Sequence, residues 1–178
     1  MKPRVGTTLG LGDEEEHQRR RCCVKEVRDA PIVVERHHDA VLSTQSRVPF
    51  LENPRLRLET HRYVGGVAKA LRRQPLIVGG VADHVHLLTT LARTVSIADF
   101  VKELKRVSSN WLQDEKAIDT FHWQSSYGVF SVSESQVAKA RVYTERQEEH
   151  HRRQTFQDEF RELLHRHGIE FDERYVWE

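Results

Sequence analysis

Residues 75–91, PLIVGGVADHVHLLTTL, decide the fold. Two runs of aliphatic and β-branched residues, each long enough for a strand, meet at Ala82-Asp83, so the stretch reads as a hairpin at the centre of a sheet. His84-Val85-His86 lies in the second run. Successive side chains of a strand point to opposite faces, so both imidazoles leave one face with Cα atoms roughly 7 Å apart while Val85 anchors the other. Two such rings can converge on one ion. In a chain with 11 histidines the triplet can equally be a pair of packing residues. Asp83, just before it, can hydrogen-bond a ring or simply serve the turn.

Outward from the hairpin the pattern is that of a small α+β domain. Upstream, HHDAVLST (37–44) is a short strand and QSRVPF (45–50) a turn. Asn53-Pro54 supplies a cap and a first helical position, and Leu56, Tyr63, Val64, Val67 and Leu71 recur at near-helical spacing, predicting a helix to Arg73. Downstream, Ile97, Phe100, Val101, Leu104 and Trp111 make one apolar stripe within SIADFVKELKRVSSNWLQDE (96–115). FHWQSSYGVFSV (121–132) is a strand region broken by Gly128, and Ser133 with Gln136 forms a capping box that opens a third helix through about Arg153. A last helix, TFQDEFRELLHRH (155–167), packs through Phe156, Phe160, Leu163 and Leu164 and ends at Gly168. The order strand, helix, two strands, helix, strand, helix, helix predicts a ferredoxin-like antiparallel sheet with helices packed on one face, plus C-terminal helices.

Composition bounds the rest. The 178 residues fit one ordinary domain; 31% are charged and 38% hydrophobic, which implies much exposed surface or a partner surface. Residues 1–35 mix glycines, an acidic run and a basic run without a clear period, and predict a weakly ordered extension before a domain spanning 36–178. The two cysteines, Cys22 and Cys23, are adjacent, which suits neither a disulfide framework nor a four-ligand zinc site and fits a reducing cytoplasm. No apolar run reaches the roughly 20 residues of a membrane span, and no signal sequence is present, so the expectation is a soluble, unexported protein.

A net charge of only +1 means that any nucleic-acid site must come from local clusters. Lys102, Lys105 and Arg106 lie off the apolar stripe of the second helix and form one such cluster, helped by Arg152 and Arg153; the alternative is a solvated helix face. Trp123 can stack on a base or fill the core. A second constellation lies on the third helix. Tyr143 and Gln147 are four apart, and His150 and His151 follow three and four beyond, so a phenol, an amide and an imidazole border one cleft. Taken alone, Tyr143 is as readily a packing tyrosine and RQEEHHRR (146–153) a solvated stretch.

The conjunction is more specific. LSTQSRVPF, IVGGVADHVHLL, ADFVKELKRVSSNW, FHWQSSYGVFSVSESQ and VYTERQEEHHRRQTFQDEFRELLHRHGIEFDERYVW, spread over 38–177, resemble the insertion sequence 200-like transposases, the single-tyrosine branch of the histidine-hydrophobic-histidine endonucleases, which include the transposases associated with repeated extragenic palindromes. The resemblance implies a DNA transposase that cleaves and rejoins single-stranded DNA through a 5′-phosphotyrosine intermediate. It implies His84 and His86 as ligands of Mg2+ or Mn2+, Gln147 as third ligand and Tyr143 as nucleophile, with His150 or His151 able to replace Gln147. It also implies single-stranded or hairpin DNA as partner and a homodimer with shared active sites. Tyr127, in a Ser-Ser-Tyr-Gly context without a ligand four residues on, is the rival phenol. A hairpin-binding protein of the same fold that has lost cleavage is the alternative function.

The chain departs from its relatives at the start. Their first strand is alternating and apolar; here it is reduced to HHDAVLST, with Asp39 where a small or apolar residue is expected, which predicts a weak central strand. Residues 1–35 then read as a non-native start from a wrong initiation site or a frame change.

Overall fold

The computed structural model describes residues 36–90, 96–173 and 176–177, so the expectation for residues 1–35 lies outside the described residues. Four strands, β1 (His37–Ser43), β2 (Pro75–Gly80), β3 (His84–Thr90) and β4 (Gly128–Val132), form one sheet in the order β2-β3-β1-β4. All three pairings are antiparallel. This is the ferredoxin-like arrangement that the element order predicts. β2 and β3 make the hairpin, turning through residues 81–83.

Two helices, α1 (Pro54–Ala70) and α2 (Ile97–Asp114), cover one face. α1 starts where Asn53 Oδ1 accepts from the amides of Arg55 and Leu56, with Pro54 in the first turn, and α2 where Ser96 Oγ accepts from Asp99 N. Val64, Val67 and Ala68 of α1 and Phe100, Val101, Leu104 and Leu112 of α2 meet Ala40, Leu42, Val85 and Leu87 from the strands, with Leu51, Phe121 and Trp123 closing the core. Val85 is fully buried there, as the strand alternation requires. Trp123 belongs to this core, donating from Nε1 to Ser108 Oγ at 2.9 Å.

The opposite face carries the alternate residues Asp39, Val41, His84 and His86 and is covered by the C-terminal helices. The third helix, expected to run unbroken from the Ser133 capping box through about Arg153, is broken. A 3-10 turn (Glu134–Gln136) leads into α3 (Val137–Glu145), and a break at Arg146 separates it from α4 (Gln147–His151). Ser133 makes no side-chain cap, its hydroxyl lying 3.2 Å from that of Ser135. α5 (Phe156–Arg166) is capped by Thr155 Oγ1, which accepts from Asp158 N, and lays Phe156, Leu163 and Leu164 against Val41 and Phe130 in a smaller second core. Gly168 follows it with φ 64, the left-handed conformation that ends helices. Of the strand region at 121–132 only Gly128–Val132 is a strand; Trp123 adds a single bridge to Thr44. No described helix is long and apolar enough to cross a membrane.

β1 lies inside the sheet, between β3 and β4, so the anticipated weakness would fall at its centre. Asp39 is only 7% exposed, but its charge has a partner, described below. A glycine fixes the distance between the sheet and α3. A Cβ on Gly79 of β2 would sit 2.2 Å from the Thr144 carbonyl oxygen, so only glycine lets the tyrosine-bearing helix approach this closely. Gly79→Ala is expected to push α3 off β2 and to cost about 1–3 kcal/mol, as overpacking does, read as a lower urea midpoint at an unchanged slope.

Candidate functional site

His84 and His86 leave β3 on the same face and are both fully buried, their ring centroids 5.4 Å apart. Each ring is held from behind by a carboxylate. His84 Nδ1 lies 2.8 Å from Asp83 Oδ1, and His86 Nδ1 lies 3.0 Å from Asp39 Oδ2. A carboxylate only accepts, so each Nδ1 donates, and in the neutral form of each ring Nε2 turns a lone pair to the same space. His84 is neutral at physiological pH: burial, aided by the charge of His86, outweighs Asp83 and drops its pKa to about 4. At His86 burial also opposes the charged ring, but the charge and hydrogen bond of Asp39 prevail, with help from Glu159, and the pKa is raised.

Asp83 is itself fixed. Arg47 Nε and Nη2 donate to its Oδ2 at 3.1 and 2.5 Å, and the guanidinium lies 3.6 Å over the Phe156 ring. Ser46 and Arg47 both have positive φ, 52° and 59°, a strain of order 1 kcal/mol or more for each. That strained turn carries the guanidinium to Asp83.

The break at Arg146 leaves Gln147 buried, 1% exposed, with its Oε1 3.2 Å from His84 Nε2. Two lone pairs facing each other at that distance call for a proton or a cation between them. Gln147 Nε2 donates to Glu159 Oε1 at 3.0 Å, and the Tyr143 hydroxyl donates to the same oxygen. The Tyr143 ring stands edge-on to His86, centroids 5.9 Å apart. Burial, followed by the charge and the hydrogen bond of Glu159, raises the Tyr143 pKa above the ordinary phenol value.

His84, His86, Tyr143 and Gln147 thus meet in one chain around one buried point. His151 joins them and His150 does not. His151 Nδ1 donates to the Gln154 carbonyl at 3.1 Å, and its Nε2 lies 3.0 Å from Gln147 Oε1 and 2.8 Å from Glu159 Oε2. The His150 ring is stacked at an angle beside Tyr143, centroids 5.0 Å apart. Tyr127 is 41% exposed, and the Lys105 ammonium sits 5.2 Å from its ring.

The basic trio is not at this point. Lys102, Lys105 and Arg106 ride on α2, which packs on the other face of the sheet. Lys105 Nζ donates to the carbonyls of Gln124, Ser125 and Ser126 at 2.7, 3.2 and 2.7 Å, and Arg106 is paired with Glu103. Lys102 is exposed.

Three residues of the site went unassigned in the sequence. Asp39 looked like a flaw in a strand, Arg47 like part of a turn, and Glu159 like a polar residue of an amphipathic helix. A signal for Glu159 exists: it lies three residues after Phe156 and four before Leu163, inside the apolar stripe, and it is 2% exposed. His84, His86 and Glu159 could hold a metal ion, with one donor atom from each lying within 4.8 Å of the others.

The model of the IS200-like transposases matches residues 33–147, about two thirds of the chain and all four residues around the point. The chain belongs to the IS200-like transposase family. Two solved structures share its fold. A protein described as a transposase, from Deinococcus radiodurans R1, is 23% identical with a TM-score of 0.53, covering 67% of this chain and 96% of its own. A REP-associated tyrosine transposase bound to a REP hairpin is 11% identical with a TM-score of 0.51, covering 68% of this chain and 72% of its own. No curated protein gave a match.

Two expectations separate the roles of these groups in the transposase. Asp39→Asn keeps the shape but weakens the hold on the buried His86 ring, and should cost about 1–3 kcal/mol in chemical denaturation, the usual effect of weakening a buried charge-assisted hydrogen bond. Lys105→Ala removes a clamp on three carbonyls and should cost about 1–2 kcal/mol in chemical denaturation.

Proposed function

We propose that this chain is a metal-dependent DNA transposase in which Tyr143 cleaves and rejoins single-stranded DNA through a 5′-phosphotyrosine intermediate. The observation that carries the reading is the convergence of the Tyr143 hydroxyl, two imidazole Nε2 lone pairs and the Gln147 amide oxygen on one buried point. The donor set fits a divalent ion, since His86 Nε2 has no hydrogen-bond partner although buried, and His84 Nε2 faces another acceptor. His84, His86 and Gln147 would hold Mg2+ or Mn2+, the imidazoles favouring Mn2+. When bound, such an ion neutralises charge developing on the phosphate oxygens and leaves coordination positions open to them.

The chain's own groups supply the rest. Tyr143 attacks phosphorus with its phenol oxygen, and the bond from phosphorus to the 3′ oxygen of the leaving strand breaks. The phenol proton points at Glu159 Oε1, and it passes by way of that carboxylate to the departing oxygen, which leaves as a 3′ hydroxyl and restores the carboxylate. The tyrosyl phosphodiester conserves the energy of the broken bond, so the 3′ hydroxyl of a second DNA end can displace the phenol without ATP. Asp39 and Asp83 keep both rings aimed throughout.

Lys102 and Arg106, on the outer face of α2, are proposed to contact the phosphates of a hairpin stem away from the cut strand. The solved relative bound to a REP hairpin supports hairpin or single-stranded DNA as the partner. The setting would be the bacterial cytoplasm. A homodimer with shared active sites is compatible with the polar composition, and within one chain the Tyr143 ring already stands 5.9 Å from that of His86.

The test is a denaturing gel after incubation with Mn2+ and single-stranded DNA carrying the element's end. A covalent protein-DNA band is expected from the unaltered protein and from Tyr127→Phe, and none from Tyr143→Phe. A folded protein that shifts the DNA without any band would favour a hairpin-binding protein that has lost cleavage. Mixing His86→Ala with Tyr143→Phe should restore no band if each chain works alone; active sites shared across a dimer would restore it.

A further inference from the structure

We propose that Glu159, on α5, is a protein ligand of the same metal ion as His84 and His86. The inference rests on the metal-dependent reading above and extends it to a residue that lies 12 positions beyond Gln147, where the family match ends.

Glu159 is a carboxylate buried at 2% exposure. Among the described residues neither lysine nor arginine pairs with it; its neighbours are the Tyr143 phenol, the Gln147 amide and the rings of His84, His86 and His151. A buried carboxylate calls for positive charge at its oxygens, whether a protonated imidazole or a bound cation. Its oxygens point where the cation would lie. Oε2 is 3.8 Å from His84 Nε2 and Oε1 is 3.5 Å from His86 Nε2. Neighbouring donors around a divalent ion of about 2.1 Å bond length lie about 3 Å apart in an octahedral sphere and about 3.4 Å apart in a tetrahedral one, so both separations are within about 1 Å of a shared coordination sphere.

Two neutral imidazoles and one carboxylate leave a singly positive centre with open positions for the oxygens of a phosphodiester. The hydrogen bond from Gln147 Nε2 then steers the carboxylate, and the Tyr143 hydroxyl is tethered to a ligand of the ion it works beside. Phe156, Leu163 and Leu164, which seat α5 on the sheet, become positioning residues for the metal centre.

The test is calorimetric titration of Mn2+ into the full chain, the Glu159→Gln variant and the His86→Ala variant, with circular dichroism to establish folding. Glu159→Gln keeps the shape and removes the charge, and its affinity is expected to fall about 30-fold or more, as is that of His86→Ala. Unaltered affinity in folded Glu159→Gln beside weakened binding in His86→Ala overturns this assignment and leaves the metal site at the histidines. Unaltered affinity in both overturns the metal reading itself. A measurement on the unaltered protein is independent of any variant: crystals soaked in Mn2+ should show an anomalous peak within about 2.4 Å of a Glu159 oxygen, and a peak bound by the histidines with Glu159 out of reach would overturn the proposal.

Discussion

Two imidazoles buried side by side must each surrender one nitrogen to keep the other free, and the structure is organised around that requirement. Asp83 reaches His84 from the turn just before it, so its position follows from the hairpin. Asp39 reaches His86 from the neighbouring strand, a diagonal contact, since His86 pairs directly with Val41. It therefore depends on the register of β1 against β3. A slip by one residue would send Asp39 to the face of α1 and α2 and leave both a charge and an imidazole without partners.

The two faces of the sheet divide the labour. The larger core, under α1 and α2, contains the aliphatic residues of the strands and supplies most of the apolar burial. The other face gives much of its area to polar groups, and its apolar cluster is smaller, centred on Val41, Phe130, Phe156, Leu163 and Leu164. Phe156 links the two tasks: it packs in that cluster, lies under the Arg47 guanidinium and stands 4.6 Å from the His84 ring. Seating α5 and aiming His84 are thus one packing problem.

The antiparallel sheet was legible from the order of the elements, and the pair of histidines because strand alternation separates His84 and His86 from Val85 without reference to anything distant. Tyr143 and Gln147 were legible as a helical pair, although the helix breaks between them at Arg146. Contacts that join distant segments were not legible. Asp39 is 47 residues from His86, Arg47 is 36 from Asp83, and Glu159 is 16 from Tyr143 across a turn and a change of helix. No local period marks such pairs, and an isolated charge in a strand or stripe looks like a defect until its partner is seen. Lys105 shows another such contact: its ammonium donates to three carbonyls about twenty residues on, which the helix pattern alone does not reveal.

The same polar cluster sets how readily Tyr143 ionises. Tyr143 is harder to ionise than a free phenol, because burial penalises phenolate and the Glu159 carboxylate repels it while accepting its proton in a hydrogen bond. A phenol in that state is a poor nucleophile. Positive charge placed between His84, His86 and Glu159 would reverse the electrostatic sign, since the groups that now oppose phenolate would be neutralised at the point nearest the hydroxyl. On the proposed function, reactivity is therefore conditional: the protein can fold, bury its histidines and hold its tyrosine without being able to cut DNA, and the groups that impose this restraint are the same ones that would bind the ion that lifts it.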